Sequence, residues 1–250
     1  MGFFDFLGKK KQDEAAPAGK KVAPKDVPRL SRLCGDKMAQ NYDRQEAIEE
    51  LAKAGTAEAA EGLLRRFSFT MEPSITDQEE KEAAAEGIVN AGEAAIEPIR
   101  RFCVRAESLT WPLKILRRIV PGDQIVNELL ALLDEFDVEY MRNPEPKIQL
   151  ISVLEEYPSN DIRVAVEPFL TDVNETVRFH AAATVFSMND EQSVPALVKG
   201  LAEEESLRVK NRIATGLVDK AWRVPKELAE ACRGALPPGF TLDGERVRRL

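Results

Sequence analysis

His180, in the stretch NETVRFHAAATVF at 174–186, is the sole histidine of the chain and the side chain whose ordinary pKa lies nearest neutrality. Acid–base catalysis would require a partner group and a pocket around it, and a metal would require several further ligands in the same place. Five cations, Arg44, Lys81, Lys147, Arg178 and Lys210, occupy equivalent positions in related stretches and could line one face as a site for an anionic ligand. Met71, Pro73 and Ile75 put apolar groups into FSFTMEPSITDQEE (67–80), a candidate loop binding surface. Cys34, Cys103 and Cys232 are odd in number and far apart, with no CxxC pair, which suggests neither a zinc site nor a disulfide framework.

The elements that hold these residues follow from a repeated frame. Val177, Arg178, Ala181, Ala182 and Val185 read apolar, basic, two skipped, apolar, apolar, two skipped, apolar. The frame recurs as Val209, Lys210, Ile213, Ala214, Leu217 and as Pro146, Lys147, Leu150, Ile151, Leu154. Its last four positions recur in Glu80, Lys81, Ala84, Ala85, Ile88 and in Asp43, Arg44, Ala47, Ile48, Leu51. Trp111, Pro112, Ile115, Leu116, Ile119 keeps the apolar positions without the cation. Counted at the first inner apolar position, the spacings are 37, 31, 35, 31 and 32 residues. Positions i, i+4, i+5 and i+8 share a helical face, so each frame predicts a helix with a stripe to bury.

A second amphipathic segment lies between frames: AAEGLLRRF, AAIEPIRRF, QIVNELLALL, RVAVEPFL and SVPALVKGL. Short punctuation such as NAG at 90–92, PGD at 121–123, PSND at 158–161 and MND at 188–190 separates them. Helix and turn alternating at this period predict an all-α fold, an α-solenoid of about six helical hairpins in which each pair buries its face on the next.

The pattern D-x4-VR-x2-AA-x2-V at 172–185, followed by SVPALVKGL at 193–201, resembles a HEAT repeat of the short type found in phycobilisome lyases. The resemblance extends over 27–222, is strongest at 161–222, and implies a superhelical array of the ARM/HEAT type. It also implies that the second-position cation packs in a ladder between repeats and bonds an acid in the preceding turn. Asp172 stands six residues before Arg178 and Glu204 six before Lys210, whereas Arg44, Lys81 and Lys147 lack an acid at that offset. HEAT-like iron hydroxylases carry repeated His-Glu pairs, but His180 is followed by alanine. Its column holds Arg212, Gln149, Ala83 and Glu46 in the other frames, the mark of a helix-surface position.

Charge narrows the partners. Residues 1–30 carry seven Lys or Arg against four Asp or Glu, a balance of +3 that leaves −11 for 31–250 out of the whole-chain −8. An acidic body repels phosphate backbones and disfavours nucleic acid, including the HEAT-like DNA-glycosylase reading for which Trp111 and Trp222 would be the aromatic residues. The acidic stretch DEFDVEYMRNPEPK (134–147) lacks the spacing and glycine of a calcium loop and reads as a solvated corner.

The chain divides into a short amphipathic segment at 1–11, a flexible linker at 12–25, the repeat array at 26–223 and a capping helix with a polar, frayed tail at 224–250. Leu30, Leu33, Cys34 and Met38 form the stripe of the first helix. In MGFFDFLGKKK, Phe3, Phe4, Phe6 and Leu7 precede Lys9, Lys10 and Lys11, the arrangement of an interfacial anchor or partner-docking segment. The expectation is a cytoplasmic, non-catalytic protein-binding scaffold, with weak peripheral contact at the inner face of a membrane through the N-terminus. No catalytic, metal-binding or cofactor-binding residue is assigned. The competing class is an enzyme or accessory subunit of the bilin-lyase type.

Overall fold

The computed structural model describes residues 23–250 apart from Asp123. The predicted docking segment at 1–11 and the predicted linker up to residue 22 lie outside the described residues. Pro24–Asp26, at the end of that linker, forms a 3-10 turn leading into the first helix.

The described chain is mostly α-helical. Helices α1 (Val27–Cys34), α2 (Asn41–Ala54), α3 (Ala57–Leu64), α4 (Ser74–Ala91), α5 (Ile96–Cys103) and α6 (Thr110–Ile119) make up the first half. Next come α7 (Gln124–Leu133), α8 (Glu145–Leu154), α9 (Asn160–Val166), α10 (Glu175–Ser187), α11 (Val194–Glu203), α12 (Leu207–Lys220) and α13 (Ala229–Ala235). Their ends follow from local chemistry. Asn174 accepts from the backbone N–H groups of Thr176 and Val177 at the start of α10, and Ser159, Ser206 and Thr56 cap α9, α12 and α3 in the same way. Gly55 ends α2 with φ 62°, a left-handed conformation that glycine adopts without strain.

Each frame falls on a helix and its inner apolar residues are buried: Ala47, Ile48 and Leu51 in α2, Leu150, Ile151 and Leu154 in α8, Ala181, Ala182 and Val185 in α10. The frame helices pack in succession, α2 on α4, α4 on α6, α8 on α10 and α10 on α12. The intervening helices form a second succession, with α1 on α3, α3 on α5 and α11 on α13. A close approach explains Gly216 of α12, where an added Cβ would run into the Phe186 ring of α10. One apolar core runs from Leu30 to Val247.

Three local expectations are corrected. The first helix stops at Cys34, so Met38 is 88% exposed and takes no part in its stripe. The segment at 67–80 is no long loop: Arg65–Ser68 is a 3-10 turn and α4 already begins at Ser74, which puts Ile75 in its first turn. The tail beyond Pro238 is not frayed. It forms an antiparallel hairpin of β1 (Phe240–Asp243) and β2 (Arg246–Arg249), which adds a small sheet to the helices. Its loop residues are Gly244 and Glu245, and Gly244 has φ 60° at the first loop position, where a II′ turn needs glycine. Leu242 and Val247 pair across the hairpin and are buried, β2 against α12 and β1 against α13.

Candidate functional site

The ladder residues meet, but with different partners from those expected. Arg178 does not bond the Asp172 carboxylate. It donates from Nε and Nη2 to Glu204 at 2.7 and 2.8 Å, and from Nη1 to the Asp172 backbone carbonyl at 2.8 Å. Asp172 instead accepts from Lys147 Nζ at 2.6 Å, so each acid closes on the cation one frame earlier. Glu204 is thereby taken, and Lys210 forms no ion pair with it. Burial raises the Glu204 carboxyl pKa, yet the hydrogen bonds from Arg178 and from the Ser206 backbone N–H outweigh burial and hold it below the usual carboxylate range. Lys147, which has no acid at the expected offset, is fully buried in this chain of contacts and also donates to the carbonyls of Asp137 and Glu139.

A denser network occupies the α2–α4 junction. Glu80 accepts from Arg44 Nε at 2.7 Å and from Arg66 Nε at 2.7 Å, with all three side chains sealed from solvent. Asp77 takes Arg66 Nη2 and Lys81 Nζ, both at 2.7 Å. Burial pushes the Asp77 carboxyl pKa up, and the bonds from Lys81 and Arg66 overcome it. Met71 points inward here, its Sδ accepting from Arg44 at 3.0 Å, while Ile75 is 71% exposed. Met71, Pro73 and Ile75 therefore share no single surface of the kind expected. Sequence reasoning missed Arg66, because the second arginine of LLRRF lies outside the frame and its partner Glu80 is on another helix. Cys34 lies close by, its thiol pKa pushed up to about 12, mainly by burial. Such a thiol is an inert core group.

His180 is not a free surface residue. It is half-buried on α10, and Ser152 Oγ of α8 lies 2.9 Å from its Nδ1. Burial lowers its pKa first, the cations Arg208 and Arg212 of α12 lower it further, and Glu155 and Glu145 act in the opposite sense. Beside it Arg208 stacks on the Phe179 ring at 3.9 Å and donates to Glu175 at 2.9 Å. A groove of about 420 Å3 adjoins this cluster between α6 and α8. Leu113, Ile148 and Val153 line it, Lys114 and Glu156 flank it, and Ser152 lies on its wall. Frame alignment puts Lys114, Gln149, His180 and Arg212 in one column across α6, α8, α10 and α12.

The two tryptophans are packing residues, Trp111 stacked on Phe67 at 5.5 Å and Trp222 on Phe186 at 5.3 Å. Among the described residues no group of three His, Cys, Asp or Glu side chains gathers in a way that could hold a metal ion. None of the described helices is long and apolar enough to cross a membrane. No family model matches the chain, and no curated protein matches it. A solved structure described as an engineered protein of a structural genomics consortium is 17% identical, over 84% of this chain and 85% of that chain, with a TM-score of 0.26.

Proposed function

We propose that the chain is a HEAT-like α-solenoid of about six helical hairpins, and that it works as a non-catalytic, cytoplasmic protein-binding scaffold. The observation that carries this reading is the pairwise succession of frame helices, α2 on α4 and α8 on α10 on α12, with the intervening helices forming a second row. Stacking of this kind leaves one polar column per helix on a shared face, and a shared face suits an extended partner better than a small substrate. Free thiols buried at Cys34, Cys103 and Cys232 accord with a reducing compartment. The apolar-then-basic pattern of 1–11 would add a weak second attachment to an anionic membrane surface or to the same partner.

The test is crosslinking in the native cell, followed by reconstitution of the purified pair. A stoichiometric partner whose binding survives purification supports the scaffold. Stoichiometric uptake of a tetrapyrrole, with transfer to an acceptor protein, would replace it with the bilin-lyase class.

A further inference from the structure

Six arginines among the described residues are buried or half-buried, and five of them meet a carboxylate. Arg44 has Glu80, Arg66 has Glu80 and Asp77, Arg100 has Glu128, Arg163 has Glu167 and Asp190, and Arg178 has Glu204. Arg212 has none among the described residues, and its Nε is buried without a hydrogen-bond partner. A guanidinium is always charged and carries five donors; Arg212 is half-buried with its Nε sealed, and its terminal nitrogens meet no acceptor among the described residues, so they are the donors open to a ligand.

What surrounds Arg212 is suited to an anion. Its guanidinium carbon is 5.9 Å from the Phe179 ring centre, and the neighbouring Arg208 already holds Glu175. His180 lies close enough for Arg212 to depress its pKa. With Nδ1 engaged by Ser152, the second ring nitrogen of His180 remains for a ligand atom. Of the nearby acids, Glu145 accepts from the Gln149 amide at 2.8 Å, Glu156 pairs with Arg117 at 2.9 Å and Glu175 with Arg208, while Glu155 is exposed. Arg212 and Lys114 are the cations here that meet no carboxylate among the described residues.

We infer that Arg212, with His180 beside it, binds a carboxylate presented by an acidic, amphipathic segment of a partner protein, whose neighbouring apolar side chain enters the α6–α8 groove. Ser152 joins the two halves, because it touches His180 and also lines the groove. Charge decides the occupant. The chain's own N-terminal segment offers phenylalanines but ends in Lys9, Lys10 and Lys11, the wrong sign for Arg212 and Lys114. This inference rests on the scaffold reading and specifies the chemistry of its partner.

The experiment uses the full-length protein and short synthetic peptides that alternate leucine with glutamate, with glutamine or with lysine. His180 is the sole histidine, so its imidazole signals report the site without assignment work. The glutamate peptide is expected to shift those signals and to bind with an affinity that falls by about tenfold or more in Arg212→Met. The glutamine peptide should bind the wild type about as weakly as the glutamate peptide binds the variant. If Arg212→Met fails to fold, the glutamate-against-glutamine comparison on the wild type reads the same carboxylate dependence. Equal binding of these two peptides would overturn the site, as would an unchanged affinity in Arg212→Met. A shift of the His180 signals on deleting residues 1–11 would assign the groove to the N-terminal segment instead, and dimerisation lost in Arg212→Met would assign it to a second copy. A crosslinked partner that binds Arg212→Met as well as the wild type removes this site and leaves the scaffold. Glutamate-dependent peptide binding without any cellular partner does the reverse.

Discussion

At the scale of single residues, His180 sets a pH dependence that its column alone did not reveal. Its folded pKa lies below the ordinary value because burial and the arginines of α12 disfavour the imidazolium. The unfolded chain therefore takes up the proton first as pH falls. The neutral ring contributes its stability fully above the unfolded pKa of about 6.5, and that contribution is lost as pH drops from there through the folded value. An NMR titration should place the His180 midpoint below that of a histidine peptide, and a midpoint above it would remove the arginine field from the account. His180→Ala should destabilise by about 0.5 to 1.5 kcal/mol through the lost bond to Ser152, measured by urea unfolding at neutral pH. The tolerance of its column for Arg, Gln, Glu and Ala was legible in the sequence. Its partner was not, because Ser152 lies on a different helix and nothing in its own spacing marks it as a donor.

The same distinction between face and partner holds for the helices. Periodicity located the frames, since a stripe at i, i+4, i+5 and i+8 has to be buried whatever it packs on, and Ala47, Leu150 and Ala181 are all at 0% exposure. Periodicity could not show that Glu80, in a position that is apolar in four of the five other frames, is the anion shared by Arg44 and Arg66. The hairpin escapes periodicity for another reason: each strand is four residues long and buries a single side chain, Leu242 or Val247, so the alternation is too short to stand out from a polar tail. Glu80→Gln leaves two sealed guanidiniums sharing no full negative charge, and should cost about 3 to 5 kcal/mol of unfolding free energy. Glu86→Gln removes the exposed partner of Arg118, a solvent-screened pair, and should leave the denaturation midpoint close to that of the wild type. Similar midpoints for the two variants in denaturant would mean that the α2–α4 network is as solvated as the surface pair.

Over the whole molecule, the pattern of contacts bears on how the chain should come apart. The frame helices pack on the frames before and after them and on the helices in between, and the direct packing of α6 on α8 gives way to a groove. A compact single core would spread a defect everywhere, whereas a stacked array confines it to the adjoining units. Ala181→Glu makes the difference measurable. Ala181 is fully buried in α10, which packs on α8 and α12, so a carboxylate there has no solvent and no partner. Arg178 is already committed to Glu204, and Lys147 to Asp172, so neither is free to neutralise it. Hydrogen exchange should accelerate first in α8, α10 and α12. Amides of α2 and α4, held by the Arg44–Glu80–Arg66 network on the far side of the groove, should keep their wild-type protection at low denaturant. The calorimetric transition should broaden, because the two halves no longer unfold together. Uniform loss of protection from α1 to α13 in a single sharp transition would show a globally cooperative core and would count against the stacked-array reading on which the scaffold rests.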